Sequence, residues 1–252
     1  AAAEAVALAR VANDRLAQIV RAAPDRYAGL ATFAPQDPRA AALELERASR
    51  TLGLHGALVN SHTQGEYLDA PKYWPIFEAL EALETPLYLH PREPSPSLAR
   101  GLDLPGFTIG WGYAVETGTH ALRLISAGLF DRFPRLKIVL GHLGEGIPFL
   151  LERIDDRFVF ETRLFPRKVP LQRRPSEYFR ANFWVTTSGM NFAAPLAATI
   201  ATLGIERVLF AVDYPFEDAV RAVAALDSFG LAEHELRRLC ETNARTVFRL
   251  RS

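Results

Sequence analysis

Short apolar runs alternate along this chain with longer segments of helical period. Six such runs are bounded by turn residues: 27–34 (YAGLATFA), 55–60 (HGALVN), 86–90 (PLYLH), 136–142 (LKIVLGH), 183–188 (FWVTTS) and 207–213 (RVLFAVD). Most are continuously apolar rather than alternating, which is the pattern of parallel strands buried on both faces. Helices are expected between them. Residues 2–22 carry Val6, Ala9, Val11, Leu16 and Val20 roughly on one stripe. The segment 38–52 opens with Asp37 as N-cap and Pro38 at the first helical position. Residues 71–83 place Trp74, Phe77, Leu80 and Leu83 at helical spacing, and further helices are expected over 114–128, 147–160, 192–203, 217–226 and 232–248.

Strand and helix in alternation imply βα units around a parallel sheet. No internal repeat and no low-complexity linker interrupts the chain, so 1–252 is expected to be a single domain, with 91–112 and 163–175 as loops within it. Loops at strand ends of such a fold tend to carry function. Six strands do not close a (β/α)₈ barrel, and the chain opens on a helix. The expectation is either an open six-stranded α/β sheet or a barrel lacking its first two βα units. In the second case an open side should lie between the strands at 27–34 and 207–213.

Composition narrows the class without naming it. Of 252 residues, 49% are hydrophobic and 23% charged, enough for a sizeable core and without the bias of a disordered chain. Lys plus Arg equals Asp plus Glu at 29 each, so no positive excess points to nucleic acid. The single cysteine, Cys240, excludes an internal disulfide and a thiolate zinc cluster and fits a reducing compartment. Glu4, Arg10, Asp14 and Arg15 break up the first twenty residues, unlike a signal peptide, and no apolar run approaches the ~18 residues of a membrane span. A soluble, cytoplasmic protein is expected.

Three residues that suit a divalent metal sit at strand ends: His90 in PLYLH, His142 in KIVLGH and Asp213 in LFAVD. In parallel α/β folds that edge carries the chemistry. A lone His there is more often a hydrogen-bonded structural residue, and an Asp before Tyr-Pro can simply start a turn. Three such residues on three separate strands favour a metal site. His62, in a loop after a strand, is a weaker candidate for lining a pocket. His120 and His234 fall in helical segments and are expected to be structural or exposed. Trp111 and Phe192 are candidates for packing against a planar ligand, although ordinary packing explains either.

The motifs VANDRLA (11–17), FAPQDP (33–38), GALVN (56–60), PLYLHPR (86–92), GLFDRFPRLKIVLGHLGEGIPF (128–149), TTSG (186–189), FAVDYPFE (210–217) and TNARTVF (242–248) span nearly the whole chain. Together they resemble the amidohydrolase-related group that contains aminocarboxymuconate semialdehyde decarboxylase, γ-resorcylate decarboxylase and 5-carboxyvanillate decarboxylase. GHLGE followed by a strand-ending Asp-Tyr-Pro is the most specific part. The resemblance implies a distorted TIM (β/α)₈ barrel whose third to eighth strands are the six runs. It implies one divalent metal ion, Zn or Mn, held by His90 and Asp213. His142 would sit beside the metal, paired with Glu145, and Arg153 would contact the substrate carboxylate. The first-strand Glu-x-His or His-x-His pair of the group has no counterpart here, and the first two strands are expected to be missing from this chain.

The function implied is metal-dependent, non-oxidative decarboxylation of a small aromatic or unsaturated carboxylic acid of dihydroxybenzoate type. Asp213 would give the proton, with His142 and Glu145 adjusting its protonation or a bound water. The partners implied are a small carboxylic acid and further copies of the chain, as a dimer or tetramer. Two alternatives stand beside this: a hydrolase (lactonase or amidohydrolase) or hydratase of the same fold, and an inactive fragment.

Overall fold

The six apolar runs pair as strands strictly in sequence order. In the computed structural model, which describes residues 1–165 and 170–250, β1 (Leu30–Ala31), β2 (Gly56–Asn60), β3 (Leu87–His90), β4 (Ile138–Leu140), β5 (Phe183–Thr186) and β6 (Val208–Leu209) form one parallel sheet of order 1-2-3-4-5-6. Asn60 lies opposite His90, Leu89 opposite Leu140, Leu140 opposite Val185, and Thr186 opposite Leu209. This register brings all the strand C-termini to one edge. Among the described residues β1 and β6 do not pair with each other, so the sheet is open between them.

Helices fill the crossovers. Ala2–Ala22 forms as expected, and Pro38–Arg50 is capped by Asp37, whose Oδ1 accepts from Ala40 N at 3.0 Å. Trp74–Ala82, Tyr113–Ser126, Ile147–Leu164, Ala193–Leu203 and Ala219–Ala225 follow near the expected spans. The last expected helix, 232–248, is broken into Glu233–Arg237 and Asn243–Phe248 around a wider π-type turn, Arg238–Thr242. The stretch 91–112 holds a short helix, Pro96–Ala99, and another wide turn, Thr108–Gly112. Within 163–175 the preceding helix continues to Leu164, and residues 166–169 lie outside the described part.

Among the described residues, Leu129–Arg132 and Pro96–Ala99 are single turns outside the expected spans, and the longest helix outside them is Pro175–Asn182. Its signals are local: Pro175 at the first position, and Glu177 accepting from Arg174 N at 2.8 Å. Tertiary bonds complete it. Buried Asp155 accepts from both Ser176 N (2.9 Å) and Ser176 Oγ (2.6 Å). Its Phe179 stacks on Phe183 of β5 with ring centroids 4.7 Å apart, and Phe130 meets Phe183 edge-on at 5.2 Å. Ile138, Leu140, Leu87 and Leu89 are fully buried between these helices and the sheet.

The strands are shorter than the apolar runs because side chains take over the ladder. Beyond β1, Asn13 satisfies both backbone groups of Thr32, accepting from its N at 2.8 Å and donating to its O at 2.9 Å. Beyond β6, Thr187 Oγ1 does the same for Ala211, at 3.1 Å to each group, and Phe210 N turns to Leu239 O. Asp213 therefore stands four residues past the end of β6.

After β4 the backbone reverses its hand. His142, Leu143, Gly144, Glu145 and Gly146 have φ of 50°, 53°, 82°, 56° and 76°, one turn of left-handed helix. A left-handed conformation costs an L-residue with a side chain roughly 1–2 kcal/mol, so three such residues must be held by their surroundings. Gly144 N donates to Gly141 O (2.8 Å), His142 N donates to Ser188 Oγ (3.2 Å), and Leu143 is buried. At Gly144 a Cβ would stand 2.9 Å from Val185 Cγ1 and 3.1 Å from Pro148 Cδ. Replacing Gly144 by Ala should lower the unfolding free energy by about 2–4 kcal/mol through overpacking and a disfavoured φ. Urea denaturation of the variant beside the wild type measures this.

Candidate active site

Three elements bring three polar side chains to one point. β3 ends on His90, the left-handed turn begins with His142, and the segment past β6 carries Asp213 at φ 76°. His90 Nε2 is 3.5 Å from Asp213 Oδ1, and His142 Nε2 is 3.6 Å from Asp213 Oδ2, so the two imidazoles straddle the carboxylate. The residues picked out in the sequence as strand-end ligands thus converge, with side chains about a quarter exposed at the open edge.

The other ring nitrogen of each imidazole is engaged. His90 Nδ1 lies 2.8 Å from Pro91 O, so it carries the proton and leaves Nε2 as a free lone pair. His142 Nδ1 meets Glu145 Oε1 at 2.9 Å, across the left-handed turn. Burial pulls the His142 imidazole down, but the Glu145 hydrogen bond, the charge of Glu145 and that of Asp213 outweigh it and hold the group above its ordinary value. Burial pushes the Glu145 carboxyl up more than His142 pulls it down. The ring thus holds Glu145 with Nδ1 and turns Nε2 toward Asp213.

Metal binding can be tested on the spacing. Two ligands each ~2.1 Å from one ion at a tetrahedral angle stand roughly 3.4 Å apart. The His90 Nε2–Asp213 Oδ1 separation of 3.5 Å matches this. Although the three side chains cluster, no three His, Cys, Asp or Glu among the described residues are placed to hold one metal ion together. The chain offers two donors with suitable chemistry, spacing and tautomer rather than a complete cage.

Arg153 is not brought to this point. It lies exposed on the helix Ile147–Leu164, with no hydrogen bond or ion pair to His90, His142, Glu145 or Asp213 among the described residues. His62 is buried, and both its nitrogens are used, Nδ1 accepting from Gly65 N (3.0 Å) and Nε2 donating to Glu93 O (3.3 Å), which leaves it a structural residue. His120 is likewise buried and bonded, and His234 is exposed. Trp111 and Phe192 are both about half exposed.

Several neighbours were not singled out in the sequence. Tyr88 OH lies 3.0 Å from Thr186 Oγ1, which lies 2.9 Å from Ser188 Oγ, the acceptor for His142 N. The signal for Tyr88 was present: it stands two residues before His90, on the same face of the strand. Gly189, at φ 64°, separates His142 from Glu217: a Cβ there would be 3.2 Å from His142 Cδ2 and 3.3 Å from Glu217 Oε1. A cleft of about 670 Å³, lined by Glu4, Leu8, Gln36, Thr63, Glu66 and Tyr73 among others, contains none of the converging residues. Its size carries no chemistry comparable with theirs.

Comparison with known proteins agrees with this fold. The Amidohydrolase family model matches residues 1–250. A γ-resorcylate decarboxylase of Polaromonas sp. is 42% identical over 250 residues, covering 96% of this chain and 76% of its own length. The crystal structure of 5-carboxyvanillate decarboxylase from Sphingomonas paucimobilis is 47% identical with a TM-score of 0.95, over 99% of this chain and 75% of that one. A dihydroxybenzoic acid decarboxylase from Polaromonas sp. JS666, with bound manganese and the inhibitor 2-nitroresorcinol, is 40% identical with a TM-score of 0.92, over all of this chain and 78% of that one. With the family model matched over nearly the whole chain and relatives at 42% and 47% identity, the chain belongs to the amidohydrolase family.

Proposed function

We propose that this protein is a metal-dependent, non-oxidative decarboxylase of a small aromatic carboxylic acid of dihydroxybenzoate type. The observation that carries the reading is the convergence of His90 Nε2 and His142 Nε2 on the Asp213 carboxylate, in a chain whose similar proteins are decarboxylases. His90 and Asp213 are read as two ligands of one divalent ion, manganese on the strength of the manganese-bound relative, with zinc also suited to the donors. Bound there, such an ion would supply a positive charge that favours an anionic acid at the site.

The chain's own residues account for the proton. Asp213 delivers it to the ring carbon that carries the carboxylate. The bond from that carbon to the carboxylate then breaks, its electrons return to the ring, and CO₂ leaves. The His142–Glu145 pair, with His142 Nε2 beside Asp213, passes a proton taken from solvent back to Asp213 for the next turnover. No electron acceptor is needed. Arg153 is assigned to capture of the acid by a charge-assisted contact. Its exposure suits contact across an interface, and Phe149 and Phe160 are exposed on the same helix. Self-association as a dimer or tetramer belongs to this reading. No helix among the described residues is long and apolar enough to cross a membrane, and the single cysteine suits the cytoplasm.

Three outcomes test the proposal. With a dihydroxybenzoate or carboxyvanillate as substrate and Mn²⁺ supplied, Asp213→Asn should lower turnover at least a hundredfold, since an amide donates no acidic proton. Near-normal turnover with metal bound would remove Asp213 from the proton-donor role. Arg153→Ala should chiefly raise KM, by about ten- to a hundredfold for a contact worth about 1.5–3 kcal/mol. Stripping metal with a chelator should abolish CO₂ release, and Mn²⁺ should restore it. Cleavage of a lactone or amide by a preparation that releases no CO₂ from any acid would replace the lyase with a hydrolase.

A further inference from the structure

Two hydrogen bonds away from the His90 peptide lies a carboxylate that the proposed reaction does not use. Glu116, on the helix Tyr113–Ser126, has no exposed surface, and no ion pair to it occurs among the described residues. Its Oε1 accepts from Ser61 Oγ at 3.0 Å, and its Oε2 accepts from Tyr67 OH at 2.9 Å and Ser95 N at 2.9 Å. These donors come from two different loops, one after β2 and one after β3. A buried carboxylate is costly unless its oxygens are satisfied, and here three donors meet it.

The proton order of the cluster follows from its acceptors. Leu68 N must donate to His120 Nε2 (3.0 Å), so the His120 proton sits on Nδ1 and points at Ser61 Oγ (3.2 Å). Burial holds His120 down to about 3, which keeps it in this neutral form. Tyr67 is pushed up to about 12, chiefly by burial, and stays a donor. Ser61 therefore accepts from His120 and gives its own proton to Glu116.

Ser61 is the link to the site. It has a positive φ of 33°, a conformation that persists in a residue with a side chain only where its surroundings over-determine it. Its N–H donates to His90 O at 2.9 Å, extending the ladder one step past Asn60. From Glu116, two hydrogen bonds lead to the His90 peptide. On the far side, Ser95 N ties the loop that begins at Pro91, whose carbonyl holds the His90 Nδ1 proton.

We infer that Glu116, acting through Ser61, is a positioning residue that sets how His90 presents Nε2 to the metal. This rests on the reading of His90 as a ligand. Glutamine cannot replace Glu116, because its amide must turn its NH₂ either toward the Ser95 N–H, donor against donor, or toward Ser61 Oγ, whose proton then loses its acceptor. Groups that orient a metal-ligating imidazole are worth about ten- to a hundredfold in metal affinity.

The test is the dissociation constant for Mn²⁺, measured by calorimetry on the full-length, metal-stripped protein, with melting temperature recorded alongside. Glu44→Gln serves as the control: Glu44 is also buried, but its partners, Asn13 on the first helix and Arg47 on its own helix, do not lead to His90. Glu116→Gln should weaken Mn²⁺ binding ten- to a hundredfold. Glu44→Gln should lower the melting temperature yet leave affinity within about twofold. Ser61→Ala, which removes only the bridging hydroxyl, should weaken binding in the same direction and covers the case in which Glu116→Gln does not fold. Wild-type affinity in Glu116→Gln or Ser61→Ala, or an equal loss in Glu44→Gln, overturns the inference. A wild-type protein that binds no Mn²⁺ overturns instead the metal reading on which it rests.

Discussion

The parallel register of the sheet is the constraint from which the rest of this structure follows. Each strand meets its neighbour so that the C-termini fall at one level, with Asn60 beside His90 and Thr186 beside Leu209. Antiparallel pairing would send every second C-terminus to the opposite edge. Because all six run the same way, groups as far apart in sequence as His90 and Asp213 come within 3.5 Å. The helices of the crossovers serve this arrangement by packing against the sheet, and the side chains of Asn13 and Thr187 end the ladder where the chain must leave it.

Much of this could be read from the sequence for a physical reason. Strands buried on both faces announce themselves as unbroken apolar runs, and all six lie within the expected ranges. His90, His142 and Asp213 were legible because each follows such a run directly. What escaped was set by distant partners. Pro175–Asn182 is too short for its periodicity to show, and it depends on Asp155, twenty-one positions before Ser176. The trimming of β1 and β6 required knowing that Asn13 and Thr187 would reach particular backbone groups.

The site divides in the same way. Its first layer was visible as residue types at strand ends, whereas the hydroxyls of Tyr88, Thr186 and Ser188 and the carboxylate of Glu217 were not. Such residues are ordinary in strands and turns, and only the fold gives them a direction. Glu116 is the sharpest case. A glutamate in the first turn of a helix is a common solvated charge, and nothing in the sequence marks it as fully buried.

The reversed hand of the turn at 142–146 has a further consequence. Over these five residues the backbone follows the mirror image of the ordinary helix. The usual chiral preference is therefore inverted there. A mirror-image amino acid would find its own favoured conformation at 143 or 145, where every natural residue but glycine is disfavoured. Evolution, restricted to one hand, has two ways to supply such a turn: glycine, used at 144 and 146, or side chains anchored firmly enough to tolerate the wrong hand. His142 and Glu145 are of the second kind, and the hydrogen bond between them is also their anchor. Chemistry and conformation at this turn thus share one bond, so neither residue can change its partner without releasing the backbone that presents it.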